Sequence, residues 1–110
     1  MKPKDAYLAL DRMTVAIVDD NAAMRGILRT ILNAMGAPRI YEAGDVRAAM
    51  DMLQHEHVDL LICDWKMKPV DGIALVRWVR DPRKSPCPTL PIIMLTCYAE
   101  AERVKIARDA

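Results

Sequence analysis

The stretch LLICDWKMKPVDG, from Leu60 to Gly72, begins as an apolar run and ends that run with a charged residue. Its first residues have the composition of a buried β-strand, and Asp64 follows them directly. Burying an isolated carboxylate costs free energy, so we expect Asp64 to lie where it can reach solvent or a cation. The stretch therefore predicts a buried strand with a carboxylate at its carboxyl end.

Three more apolar runs have a strand-like composition, and a helical pattern follows each of the four runs. The predicted strands comprise residues 14–18, 39–41, 58–63 and 91–95. The predicted helices comprise residues 22–36, 46–54, 72–79 and 99–110, the first three with the N-caps Asn21, Asp45 and Asp71. Strict alternation of helices with strongly apolar strands predicts an α/β fold, in which a parallel sheet is covered on both faces.

The length of 110 residues suits one domain. The stretch DPRKSPCPTLP, residues 81–91, contains four prolines, and we expect a stiff surface loop within that domain. His55 and His57 are expected to be solvated at a helix end without a metal-binding role, because no further ligands accompany them.

The charge and cysteine content restrict the possible partners and the compartment. Sixteen basic and 15 acidic residues give a net charge of +1, so no overall field attracts nucleic acid or an anionic membrane. Cys63, Cys87 and Cys97 are odd in number and include no CxxC pair, which argues against a disulfide framework or a zinc site. No signal peptide or membrane-spanning run is present in the sequence. We expect a cytoplasmic protein with no direct nucleic-acid or membrane partner.

Polar residues follow three of the predicted strands. Asp19 and Asp20 end the first strand, Asp64 ends the third and Thr96 ends the fourth. Because the carboxyl ends of parallel strands meet at one edge of the sheet, these groups are expected to share a site. A single Asp at such a place often only caps the next helix, but several carboxylates together repel one another and require a cation. Oxygen ligands alone favour a hard ion such as Mg²⁺.

The motifs IVDDN (17–21), LLICDWKM followed by DG (60–72) and PIIMLT (91–96) resemble the receiver domain of bacterial two-component response regulators, of the chemotaxis-regulator kind. The resemblance extends from about Met13 to the C-terminus and implies a flavodoxin-like, doubly wound parallel sheet of order 2-1-3-4-5. It also implies that Asp64 accepts a phosphoryl group from a histidine kinase or phosphotransfer protein. By the same resemblance, Mg²⁺ is bound by Asp19, Asp20, Asp64 and the backbone carbonyl of Lys66, and the Thr96 hydroxyl contacts the phosphoryl group.

The sequence departs from the family pattern in the loop after Asp64 and again after Thr96. Lys68 stands where the family usually has Pro, with Pro69 next, so the loop path is expected to differ. Cys97 stands where a smaller residue is usual, and Tyr98 follows it. No lysine matches the one on the family's fifth strand. We therefore expect an N-terminal extension at 1–12 and a receiver domain at 13–110 without the fifth strand and fifth helix.

The resemblance implies a signalling protein and not an enzyme, and the sequence disfavours two enzyme classes. A phosphohydrolase of the haloacid dehalogenase type needs a second Asp two residues after the nucleophile, where this chain has Lys66. A P-loop ATPase needs GxxxxGK[ST], which is absent from the sequence. The alternative that remains is a receiver-like interaction module that does not switch by phosphorylation.

The expected end of the sheet also predicts a surface for self-association. Without a fifth strand, Ile92 to Leu95 would have an unpaired edge, and without a fifth helix part of the first helix would be uncovered. The residues expected to be uncovered are Ile27, Leu28 and Ile31. In the alternative arrangement, the amphipathic start of the chain folds back over this surface through Tyr7, Leu8, Leu10 and Met13.

Overall fold

A computed structural model of the chain describes residues 10–95, in which four strands alternate with three helices. The strands are β1 (Thr14–Val18), β2 (Arg39–Ala43), β3 (Leu60–Asp64) and β4 (Ile92–Leu95). The helices are α1 (Ala22–Ala34), α2 (Val46–His55) and α3 (Gly72–Arg80). None of these helices has the length and apolar character needed to cross a membrane.

The sheet is parallel, and its strand order is β2-β1-β3-β4. This order confirms the predicted 2-1-3-4 arrangement for the strands that the structure describes. The fourth predicted helix, residues 99–110, lies outside the described residues, as do residues 1–9 of the predicted N-terminal extension.

The central strands bury side chains on both faces, which explains why their sequences do not alternate between apolar and polar residues. Val15 and Ile17 of β1 pack with Leu32 of α1 on one face of the sheet. Ala16 and Val18 point to the other face, into the cluster that α2 and α3 complete. These four side chains are fully buried, whereas Thr14 at the start of β1 is partly buried. This two-sided burial confirms the predicted α/β fold.

The α1 N-cap is confirmed, because the Asn21 side chain accepts a hydrogen bond from Met24 N at 3.1 Å. The Asp45 cap of α2 is also confirmed, with Ala48 N as donor at 2.7 Å. Asp71 occupies the N-cap position of α3, but the prediction that it caps this helix is wrong because its side chain makes no capping bond. The first turn of α3 is tied to β3 through the main chain, where Gly72 N donates to Trp65 O at 2.8 Å.

Several predicted boundaries differ from the structure by a few residues. Strand β2 continues to Ala43 because it pairs with β1 along its whole length, although Glu42 interrupts the apolar pattern. Strand β3 begins at Leu60 and includes Asp64, which pairs with Leu95 of β4. The acidic residue therefore belongs to the ladder itself and is held as firmly as the strand.

The proline-rich segment 81–91 is irregular, as predicted, and its backbone is anchored to α3. The Arg80 guanidinium donates to Pro88 O at 3.1 Å and to Leu90 O at 2.6 Å. The Leu90 side chain is buried in the core on the α2 and α3 face. The segment is thus a packed connection within the domain.

The surface expected to be uncovered is only partly as predicted. Ile27 is 54% exposed and Ile31 is 50% exposed, whereas Leu28 packs against the core beneath α1. The prediction that Leu28 is uncovered is therefore wrong, because it lies on the inward side of the helix. Leu10 is buried in the same core, whereas Tyr7 and Leu8 lie outside the described residues.

The start of α3 approaches β3 so closely that only glycine fits. A Cβ added at Gly72 would overlap the Asp64 carbonyl oxygen and lie 2.9 Å from Cys63 Sγ. The overlapping carbonyl belongs to the backbone of a central strand, which cannot move aside without breaking its pairing. Gly72 therefore sets the distance between α3 and the end of β3.

We expect Gly72→Ala to lower the free energy of unfolding by about 2 to 3 kcal/mol, because the added methyl group overpacks the contact. The matched control is Gly26→Ala in α1, where no atom lies within 4 Å of the added Cβ. That control should stabilise the protein by about 1 kcal/mol, since alanine is the better helix former. Urea denaturation measures both changes, and equal effects of the two substitutions would contradict the packing argument.

Candidate functional site

The structure brings three of the predicted site residues together at the carboxyl edge of the sheet. Asp19 and Asp20 follow β1, Asp64 ends β3, and β1 and β3 are neighbours. One carboxylate oxygen from each residue lies within 4.8 Å of the others. Asp19 is buried, Asp64 is partly buried and Asp20 is exposed. The predicted convergence of these three side chains is therefore observed.

Backbone contacts fix the residue at the start of this site. Asp19 N donates to Ala43 O at 3.1 Å, which extends the pairing of β1 with β2 by one residue. The Asp19 carboxylate accepts a hydrogen bond from Asn21 N at 2.9 Å. Asn21 in turn caps α1. The buried Asp19 is thus held between the sheet and the first turn of α1.

The electrostatic environment of Asp64 favours its neutral form. Burial raises the pKa of Asp64 above its usual value, and the negative charges of Asp19 and Asp20 raise it further. A hydrogen bond from the Lys66 backbone N–H acts in the opposite direction and lowers this pKa. The net shift is upward, so the folded protein disfavours three simultaneous negative charges at this edge.

Cys63 lies directly beneath the site with its thiol in the core. Burial raises the pKa of this thiol to about 12, with further contributions from the charges of Asp64 and Asp19. Its Sγ contacts the Asp64 carbonyl oxygen at 3.3 Å. The thiol therefore stays protonated at neutral pH and serves as packing below the acidic residues.

The β3–α3 loop borders the site on its exposed side. Lys66 is exposed and follows Asp64 closely, whereas Trp65 and Met67 on either side of it are buried. The peptide bond between Lys68 and Pro69 is cis. Thr96, Cys97 and Tyr98 lie outside the described residues, so Thr96 remains a predicted member of the site.

The donor set fits a hard divalent cation. Three carboxylates supply only oxygen atoms, and within residues 10–95 these are the acidic, His or Cys groups that converge closely enough to hold a metal. Burial raises the pKa of Asp64, and repulsion from the nearby carboxylates of Asp19 and Asp20 raises it further. A bound cation would remove that repulsion, so the residues present fit the predicted Mg²⁺.

Sequence reasoning missed Arg25 and Glu42, which lie behind the acidic residues. Arg25 Nη1 donates to the Asp19 carbonyl oxygen at 2.6 Å, and Arg25 Nε pairs with Glu42 Oε1 at 3.2 Å. The only signal in the sequence was an acidic residue, Glu42, directly after the predicted strand at residues 39–41. Partners that come from different elements cannot be paired without the fold.

Asp64→Asn should raise the melting temperature at neutral pH when no divalent ion is present. The folded-state pKa of Asp64 is raised, so the penalty is present above that pKa and disappears below the ordinary value of 3.8. The advantage of the Asn variant should therefore shrink as the pH falls through this range. Asp51→Asn, at an exposed carboxylate on α2, is the control and should change little.

Bound Mg²⁺ should stabilise the wild type, so that its melting temperature rises above that of Asp64→Asn. At a concentration tenfold above a dissociation constant of about 1 mM, the gain is about 1.4 kcal/mol. Asp64→Asn should gain less because it has lost a ligand. Thermal melts with and without Mg²⁺ measure the gain in stability. A wild-type melting temperature that Mg²⁺ does not change would show that the carboxylates form no cation site.

Comparison with known proteins extends these observations. The family model described as the response regulator receiver domain matches residues 15–110. The chemotaxis protein CheY of Pseudomonas aeruginosa is 38% identical over 98 residues, covering 89% of this chain and 77% of the relative. The chemotaxis protein CheY-3 of Vibrio cholerae is 33% identical over 98 residues, covering 89% of this chain and 74% of the relative.

Solved structures agree with this similarity. A response regulator receiver protein from Pseudomonas putida superposes with a TM-score of 0.81 at 28% identity, covering 89% of this chain and 78% of that chain. The chemotaxis protein CheY4 of Vibrio cholerae superposes with a TM-score of 0.79 at 27% identity, covering 88% and 78%. With its parallel sheet and its acidic residues at the carboxyl edge, the chain belongs to the response regulator receiver domain family.

Proposed function

We propose that this receiver domain is a phosphoryl-accepting switch of a two-component system, in which Asp64 is the phosphorylated residue. The observation that carries the proposal is the convergence of the Asp19, Asp20 and Asp64 carboxylate oxygens within 4.8 Å. Asp64 is the best placed of the three to be the acceptor, because it ends a central strand and remains partly exposed. The phosphodonor is a histidine kinase or a phosphotransfer protein.

In the proposed reaction, a carboxylate oxygen of Asp64 attacks the phosphorus of a phosphohistidine. The new P–O bond forms as the P–N bond breaks, and the released imidazole nitrogen takes up a proton. Asp19, Asp20, Asp64 and the Lys66 backbone carbonyl would hold Mg²⁺, which when bound offsets the charge of the attacking and phosphoryl oxygens. The chain itself supplies a fixed nucleophile, because Asp64 is held in the β3–β4 ladder.

The switch is proposed to act through Thr96, which directly follows β4 in the sequence. A phosphoryl group on Asp64 adds negative charge and acceptor oxygens, towards which a hydroxyl donor is drawn. Movement of Thr96 would bias the surface around β4 and the segment after it towards a second arrangement. A downstream protein that binds this surface would then distinguish the phosphorylated from the unphosphorylated form.

We place the protein in the cytoplasm and regard it as a switch and not an enzyme with turnover. The three cysteines of the sequence are odd in number and include no CxxC pair, a pattern that suits a reducing compartment. The acyl phosphate forms on the protein itself, so one phosphoryl group is taken up by each molecule until it is hydrolysed.

Incubation with acetyl phosphate and Mg²⁺ should add the mass of one phosphoryl group, but only weakly in these 110 residues, because none of their lysines matches the one on the family's fifth strand. Asp64→Asn should abolish this addition, because the amide is not a nucleophile at phosphorus. Asp51→Asn, the exposed control, should be labelled like the wild type. Intact-mass spectrometry measures the product, and labelling that persists in Asp64→Asn would place the acceptor elsewhere. Absence of labelling in the wild type would favour the interaction module that does not switch.

We also propose that the chain binds a second copy of itself through the side formed by β4 and α1. Within residues 10–95, β4 is an outer strand of the sheet, and its Ile93 is 48% exposed. Ile27 and Ile31 expose a further apolar stripe on α1. A second copy carries the same strand edge and the same stripe, so a twofold arrangement would cover both.

Light scattering across a dilution series should therefore give a mass that rises with protein concentration. Ile31→Lys should shift the equilibrium to the monomer, because it places a charge in the proposed contact. Val70→Lys is the control, since Val70 is similarly exposed at 45% but lies in the β3–α3 loop. A wild type that remains monomeric at every concentration would contradict the proposed contact.

A further inference from the structure

Two arginines of α1 share one carboxylate of β2 but bind different parts of the backbone. Glu42 accepts Arg25 Nε on one oxygen at 3.2 Å and Arg29 Nε on the other at 2.8 Å. Arg29 Nη2 also donates to Ile40 O within β2, at 3.1 Å. Arg25 Nη1 instead donates to the Asp19 carbonyl oxygen, at 2.6 Å. Only Arg25 therefore connects the ion-pair network to the acidic site.

The acceptor of the Arg25 bond is part of the peptide unit that joins Asp19 to Asp20. A peptide unit is planar, so fixing its carbonyl oxygen also fixes the direction in which the chain enters Asp20. The other side of Asp19 is already fixed, because its N–H donates to Ala43 O. The Arg25 bond thus orients the chain between the two successive carboxylates, together with the hydrogen bond from Asn21 N to the Asp19 carboxylate.

The position of the Arg25 guanidinium is itself well defined. Glu42 binds it on β2, and the Arg25 side chain is only 20% exposed. A Cβ added at Gly44 would lie 3.4 Å from Arg25 Nη1, an ordinary van der Waals distance, so the Gly44 backbone after β2 lies near the guanidinium. The guanidinium therefore has little freedom to leave the Asp19 carbonyl.

We propose that Arg25 is a positioning residue for the cation site, holding the Asp19–Asp20 peptide in the orientation that directs both carboxylates towards Asp64. This inference rests on the proposed function, because it assigns Arg25 a part in forming the Mg²⁺ site. Arg25 acts through the backbone and does not contact the cation. Glu42 holds the guanidinium in place from the far side.

The positive charge of Arg25 and its bond to the Asp19 carbonyl lead to opposite predictions for the Mg²⁺ affinity of a variant without Arg25. The guanidinium is positive, so its loss would strengthen the binding of a cation if charge alone mattered. If Arg25 orients the Asp19–Asp20 peptide, its loss allows Asp20 to turn away and weakens binding. The direction of the change in Mg²⁺ affinity therefore separates the two effects.

The experiment compares Arg25→Met with Arg29→Met by Mg²⁺ titration calorimetry and by thermal melts without the ion. Both variants remove one positive charge and one ion pair with Glu42, but only Arg25→Met removes the bond to Asp19. We expect Arg25→Met to raise the Mg²⁺ dissociation constant about tenfold, as expected for a residue that orients a metal ligand. Arg29→Met should leave it within about twofold of the wild type. Arg25→Lys, which keeps a donor and the charge, should recover part of the affinity.

The thermal melts distinguish a loss of Mg²⁺ affinity from a general loss of stability. Both Met variants should lose similar stability without Mg²⁺, so a selective loss of affinity in Arg25→Met cannot come from general weakening. If Arg25→Met does not fold, Arg25→Gln gives the same test with a shorter polar side chain. Unchanged or tighter binding in the Arg25 variants, or equal weakening in Arg29→Met, would overturn the positioning role while leaving the proposed function intact. A wild type that does not bind Mg²⁺ would overturn both.

Discussion

The repulsion among three carboxylates at one edge of the sheet is the constraint on which the rest of the site depends. At about 5 Å separation and an effective dielectric of about 20, each charged pair repels by roughly 3 kcal/mol. The fold maintains this arrangement because Asp64 is part of the β3–β4 ladder and Asp19 extends the pairing of β1 with β2. The pairing of the strands therefore keeps the three carboxylates closer together than their mutual repulsion would otherwise allow.

Contacts of Cys63, Gly72 and Arg25 also hold the backbone of the acidic residues in place. The protonated Cys63 thiol fills the space under Asp64 without adding a charge. Gly72 lets the start of α3 approach the end of β3, where any side chain would overlap the Asp64 carbonyl. On the far side, Arg25 holds the Asp19 carbonyl and is itself held by Glu42. Cys63, Gly72 and Arg25 each lie against the backbone carbonyl of an acidic residue and not against its carboxylate.

Much of this arrangement could be predicted from the sequence, because the decisive signals are local. Asp64 directly follows an apolar run, and Asp19 and Asp20 do the same after β1, so the parallel topology alone brings them together. The missed features depend on contacts between distant segments. Glu42 was hidden in a strand whose length is set by pairing with β1, and its arginine partners lie on another element. Asp71 resembled a helix cap, whereas the adjacent Gly72 has the structural role, which only the close approach of two backbones reveals.

The most direct test of this account is the titration of the Asp64 carboxyl group, followed by carbon NMR with and without Mg²⁺. Because burial and the charges of Asp19 and Asp20 disfavour its ionised form, Asp64 should titrate above the ordinary value of 3.8 when no cation is present. Mg²⁺ should lower that pKa by stabilising the carboxylate. An Asp64 that titrates at its ordinary value and does not respond to Mg²⁺ would contradict the claim that the fold holds three repelling carboxylates for a cation.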